Sequence, residues 1–73
     1  MHTQTIMDRS GDTRHEFDPD DASAVAEAER RFAELTKSGF VAATRTGSGP
    51  AELIRQFDPT AQETVFIPRL VGG

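Results

Sequence analysis

The chain has 73 residues, with eight Lys and Arg against twelve Asp and Glu for a net charge of −4, and it has no Cys, Trp or Tyr. Such a length holds one small domain, whose core stabilises by only a few kcal/mol. The composition excludes disulfides and thiolate chemistry, leaves only His2 and His15 as imidazoles, offers no zinc spacing or cofactor motif, and lacks the basic stripe of a nucleic-acid binder.

Residues 3–8 carry the β-branched Thr3, Thr5 and Ile6, and Arg9-Ser10-Gly11-Asp12 is a turn signal. Residues 13–17 place Thr13, His15 and Phe17 on one side of an extended segment. The reading is a hairpin. A disordered arm is the alternative, because only Ile6, Met7 and Phe17 are there to anchor it.

The middle of the chain predicts a helix. Asp18 is placed to cap it, Pro19 suits its first position, and Asp20 and Asp21 suit the positive end of its dipole. Val25, Ala28, Phe32 and Leu35 form an apolar stripe, and Glu27 with Arg31 makes an i,i+4 pair. Lys37 falls in the last turn, where it covers the final carbonyls, and Gly39 stops the helix.

Beyond Gly39 the periodicity changes. Residues 40–45 read as a strand, and 46–50 (Thr-Gly-Ser-Gly-Pro) as a loop. Residues 51–57 read as a returning strand with Leu53, Arg55 and Phe57 on one face and Ile54 on the other; a helix is the alternative there. Asp58-Pro59-Thr60-Ala61-Gln62 turns the chain. Residues 63–67 form a strand dense in β-formers, closed by Pro68. Phe17-Asp18-Pro19 and Phe57-Asp58-Pro59 look like a repeat but read as two local Asp-Pro turns.

The order ββαββ predicts an α+β domain over residues 1–68, with one helix packed on a mixed sheet and the first and last strands parallel at its centre. Its expected core is Phe17, Val25, Phe32, Leu35, Phe40, Leu53, Phe57 and Phe66. Residues 69–73 are the expected flexible tail.

Competing sites are weak. His15 beside Glu16 and Asp18 has no nucleophile to serve. Asp18, Asp20 and Asp21 lack the glycine and bidentate Glu of a calcium loop. Residues 46–49 lack the Lys-Ser/Thr of a phosphate loop. The expectation is a protein that is not an enzyme, uses no cofactor and no metal, and binds neither nucleic acid nor membrane. With no signal peptide or apolar span it is placed in the cytoplasm, as a monomer.

The ending carries the strongest functional signal. ββαββ with a terminal Gly72-Gly73 resembles the β-grasp, ubiquitin-like proteins, including the prokaryotic ubiquitin-like modifiers. Phe66-Ile67-Pro68-Arg69-Leu70-Val71-Gly72-Gly73 resembles the end of the molybdopterin synthase small subunit, and Phe57-Asp58-Pro59 that family's turn before the last strand. The thiamine-pathway sulfur carrier ends similarly. Arg69 stands fifth from the end, where ubiquitin also has an arginine. The resemblance extends over residues 57–73 and is architectural before that; the polar first hairpin departs from these families.

What the resemblance implies is activation of the tail. An adenylating enzyme brings the Gly73 carboxylate to ATP through a narrow passage that residues without side chains traverse most easily. The acyl-adenylate is then attacked by an amine, thiol or sulfide. Arg69, Leu70, Val71 and Phe66 would be recognised by the activating enzyme, with a solvated residue that keeps the tail soluble as the alternative for Arg69, and Lys37, the only lysine, or the N-terminal amine would be the acceptor in any chain of copies. A protein modifier implies a conjugating enzyme and a deconjugating metalloprotease as further partners. A sulfur carrier would instead form a thiocarboxylate and serve a synthase subunit. A non-covalent β-grasp module binding through its sheet is the third reading.

Overall fold

A computed structural model of the chain describes residues 1–45 and 47–69. It contains β1 (His2–Asp8), β2 (Gly11–Phe17), α1 (Ala22–Lys37), β3 (Phe40–Arg45), β4 (Glu52–Ile54) and β5 (Glu63–Pro68). The five strands form one mixed sheet in the order β2-β1-β5-β3-β4. β1 and β5 are parallel at its centre, and every other neighbouring pair is antiparallel. The helix packs on one face. This is the expected α+β arrangement, and its topology is compatible with a β-grasp.

The first hairpin is longer than the sequence suggested, pairing His2 with Phe17 through to Asp8 with Gly11. Its turn closes on the side chain of Asp8, whose Oδ1 accepts from Ser10 N at 2.7 Å and Ser10 Oγ at 2.6 Å. These bonds hold the Asp8 carboxyl below its ordinary pKa. Gly11 follows at φ +125°, a backbone angle that side chains disfavour.

The helix is capped by Asp21, not by Asp18. Asp18 Oδ1 is taken by Asp20 N at 2.9 Å, and Asp18 O by Asp21 N at 3.0 Å. That local turn consumes the expected first helical positions. It leaves Asp21 extended (φ −97°, ψ 107°), with its side chain accepting from Ser23 N and Ala24 N. At the other end, Ser38 N binds the carbonyls of Glu34 and Leu35, Gly39 N binds that of Thr36, and Ser38 Oγ adds to Glu34. Ser38 and Gly39 therefore satisfy the last carbonyls in place of Lys37. Gly39, at φ +103°, turns the chain out of the helix.

The core centres on Phe32, Ala42 and Phe66. Ile6, Leu35, Phe40, Ile54 and Phe57 pack around them, partly buried. A chain of rings runs through it: Phe17 to Phe57 at 6.4 Å, Phe57 to Phe32 at 5.9 Å and Phe32 to Phe66 at 5.7 Å between centroids. Val25 is half-buried at its margin. Leu53 is not a core residue: it is 74% exposed. In the expected strand 51–57 only Glu52–Ile54 pairs, and it does so with Ile54 inward. The chain bends at Arg55 and Gln56 and returns Phe57 to the core from a loop. Inward and outward faces are thus exchanged relative to the expectation, because Phe57 reaches the core by a bend and not by strand alternation.

Buried polar side chains complete the interior where β1 meets β5. Gln4, 0% exposed, donates from Nε2 to Ala28 O at 3.0 Å and accepts at Oε1 from Arg31 Nη1 at 2.7 Å. Arg31, expected beside Glu27, thus reaches across to the sheet. Thr64 is buried beside Gln4 as its β5 partner.

Candidate functional site

The candidate site begins where β5 ends. Thr64 and Phe66 point to the helix, and the alternation turns Val65 and Ile67 to the opposite, helix-free face. The sequence expects Phe66 at a contact with an activating enzyme, yet its side chain is 0% exposed in the middle of the core. It offers no surface to a partner. Its part in any tail chemistry is to anchor the strand that carries the tail.

Pro68 pairs with Phe40 at the close of the β3–β5 ladder, and Arg69 N then donates to Gly39 O at 3.2 Å. The chain is held up to Arg69. The Arg69 side chain is exposed beside Phe40, Leu53 and Arg55. Leu70, Val71, Gly72 and Gly73 lie outside the described residues. Lys37 is exposed in the last turn of α1, two residues before the Gly39 that holds Arg69. The fold therefore brings Lys37 and Arg69 to one end of the molecule and separates both from the buried Phe66.

The helix-free face supplies a feature that the sequence reading did not single out. Val41 stands beside Ile67, and Ala43 lies between Val65 and Leu53. Leu53, Ile67 (45%) and Met7 (40%) are exposed there. The signal was present in residues 64–67, Thr-Val-Phe-Ile, an uninterrupted β-forming run that is apolar on both faces.

His2 and His15 take structural places. His2 Nδ1 lies 3.0 Å from Pro59 O and its ring meets Phe17 edge-on at 5.7 Å. His15 is half-buried opposite Gln4. Asp58 Oδ1 accepts from Thr60 N at 2.9 Å and Thr60 Oγ1 at 2.6 Å, which lowers its pKa. Among the described residues, no group of three or more His, Asp or Glu is placed to hold a metal ion. No described helix is long and apolar enough to cross a membrane.

No family model, curated protein or solved structure matches the chain.

Proposed function

We propose that the chain is a β-grasp, ubiquitin-like protein whose Gly73 carboxylate is activated by adenylation and transferred to an amine of another protein. The observation that carries this reading is the conjunction of Gly72-Gly73 with a central β5 that delivers them. β5 is paired on both sides and anchored by Phe66, and its exit is tied at Arg69 to Gly39. A small domain followed in sequence by two residues without side chains suits a passenger carried into another enzyme's nucleotide site. The carboxylate is that of Gly73 once Gly73 is the last residue, by synthesis or by processing. The chemistry balances simply: the carboxylate displaces pyrophosphate from ATP, and the amine then displaces AMP to form an isopeptide.

Trypsin provides a direct test. Cleavage after Arg69 leaves Leu70-Val71-Gly72-Gly73 attached to any modified lysine. Tagged chain expressed in its native host should yield target peptides bearing that four-residue remnant. A variant lacking Gly72 and Gly73 should yield none. If the intact protein instead gains the mass of one oxygen exchanged for sulfur, with no remnant on any lysine, the product is a thiocarboxylate and the protein is a sulfur carrier.

A second reading has its own observation. The exposed Leu53, Ile67 and Met7 on the helix-free face suit a module that binds partners without covalent attachment. It predicts binding that survives removal of Gly72 and Gly73 and is lost on Leu53→Asp.

A further inference from the structure

A groove runs along the β4 edge of the molecule, on the side away from β2. One part lies between α1 and the loop after β4, over Phe32, Ala33 and Phe57, with a volume of about 590 Å³. A second part continues past Thr36 and Arg55 to Phe40, Ile54 and the exposed Leu53, with about 380 Å³. The two share Thr36 and Arg55 and so form one track.

Its charge is opposite to that of the protein. Lys37, Arg55 and Arg69 line it against two carboxylates, Glu29 and, at the Phe57 end, Asp58, in a chain of net charge −4. The Asp58 carboxylate is bonded to Thr60. A depression elsewhere on the helix is balanced, lined by Glu27 and Glu34 with Arg30 and Arg31. The track therefore focuses a positive field over an apolar floor.

The third element is backbone. β4 is an outer strand of the sheet, only three residues long and paired on one side with β3. Its outer edge presents peptide groups to any chain laid beside it. Apolar floor, cationic rim and open strand edge together fit one kind of occupant: an extended peptide.

We propose that the groove between α1 and β4 docks an extended acidic segment of a partner protein, with an apolar side chain seated over Phe57 and carboxylates on Lys37, Arg55 and Arg69. This binding does not depend on activation at Gly73. It places the partner on the edge next to Arg69, where Leu53 and Val41 at the groove rim are shared with the helix-free face and Ile67 and Met7 are left open.

A phage-displayed random peptide library, panned against the full-length chain, provides the probe. The expected result is enrichment of Asp and Glu flanking an apolar residue. Labelled synthetic copies of the enriched peptides are then measured by fluorescence anisotropy. Arg55→Glu and Lys37→Glu should each weaken binding about tenfold, as for charges facing a complementary partner. Arg14→Glu, on the distant β2 edge, should leave affinity within about twofold. Arg14, Lys37 and Arg55 are all exposed, so the variants keep the amide spectrum of the folded chain. The proposal is overturned if the enriched peptides lack acidic residues or if Arg14→Glu weakens binding as much as Arg55→Glu. It also fails if the chain self-associates through this edge so that a second copy fills the groove. Competition by a single-stranded oligonucleotide at equal strength would assign the cations to nucleic acid instead and overturn it too.

Discussion

The two halves of the sheet are held to the helix by different forces. On the β3–β4 side the joint is apolar: Ala42, Phe40 and Ile54 close on Phe32 and Phe66. On the β1–β2 side only Ile6 and Phe17 reach the core, and the joint adds a pair of hydrogen bonds through one buried amide, Gln4. Apolar packing is proportional to area and tolerant of direction. The amide bond pair is directional, so it fixes which residue of β1 faces which turn of α1. The first half, with Ile6 and Phe17 as its apolar contacts, gains alignment from Gln4; the second rests on its larger apolar contact.

The largest expected effect comes from breaking the apolar joint. Phe66→Ala removes the central ring and leaves a cavity, costing about 3–5 kcal/mol. A domain this small has little more than that to lose. Far-UV circular dichroism with urea should find the variant largely unfolded at room temperature. A loss below about 1 kcal/mol would mean that the core is not organised around Phe66.

Breaking the polar joint should cost less and act more locally. Gln4→Ala strands the Arg31 guanidinium and vacates the site at Ala28 O, for about 1–3 kcal/mol. Native-state amide exchange should show β2 losing protection before β3. Uniform loss across all five strands would show that Gln4 serves global stability and not the alignment of one half.

The smallest effect concerns the turns, one in each half. Asp8 and Asp58 both have pKa values lowered from 3.8 by hydrogen bonds that favour the charged form. A lowered folded-state pKa means the contribution is present above the unfolded value and is lost as the pH falls through the folded one. Stability should therefore decline below about pH 4 as these carboxylates protonate. Replacing each with Asn in turn and comparing urea midpoints at neutral and acid pH checks this. Asp8 is exposed and Asp58 half-buried, and both bond only to near neighbours, so the slope of stability against pH should flatten only slightly in each variant.

Much of the fold was legible because its signals are local. The stripe Val25, Ala28, Phe32, Leu35 needs only the helical period, and Gly39 only its backbone freedom. The Asp58 turn forms within three residues. The Asp18 turn was legible as a turn but not as the reason the helix starts later. Capping depends on which of several nearby acids is left extended, and the competing bond from Asp20 N decided it. Leu53 and Ile54 exchanged faces because a bend at Arg55 returns Phe57 to the core, and alternation carries no information about a bend. Gln4 was invisible as a buried residue, since its partners lie 24 and 27 positions away.

The candidate site divides in the same way. Gly72, Gly73 and Arg69 are read directly from the end of the chain, because the property that matters there is the absence or presence of a side chain. That Phe66 is an anchor and not a contact depends on burial from every side, which only the packed helix and neighbouring strands supply. The groove of Lys37, Arg55 and Arg69 joins residues from a helix end, a bend and a strand exit. The sequence by itself determined the order of elements and the helix face, both properties of near neighbours, and it is the source of the proposal for Gly72-Gly73. The tertiary structure decided which strands became neighbours, which faces turned outward and where the cations gathered, because those depend on contacts between residues far apart in the chain.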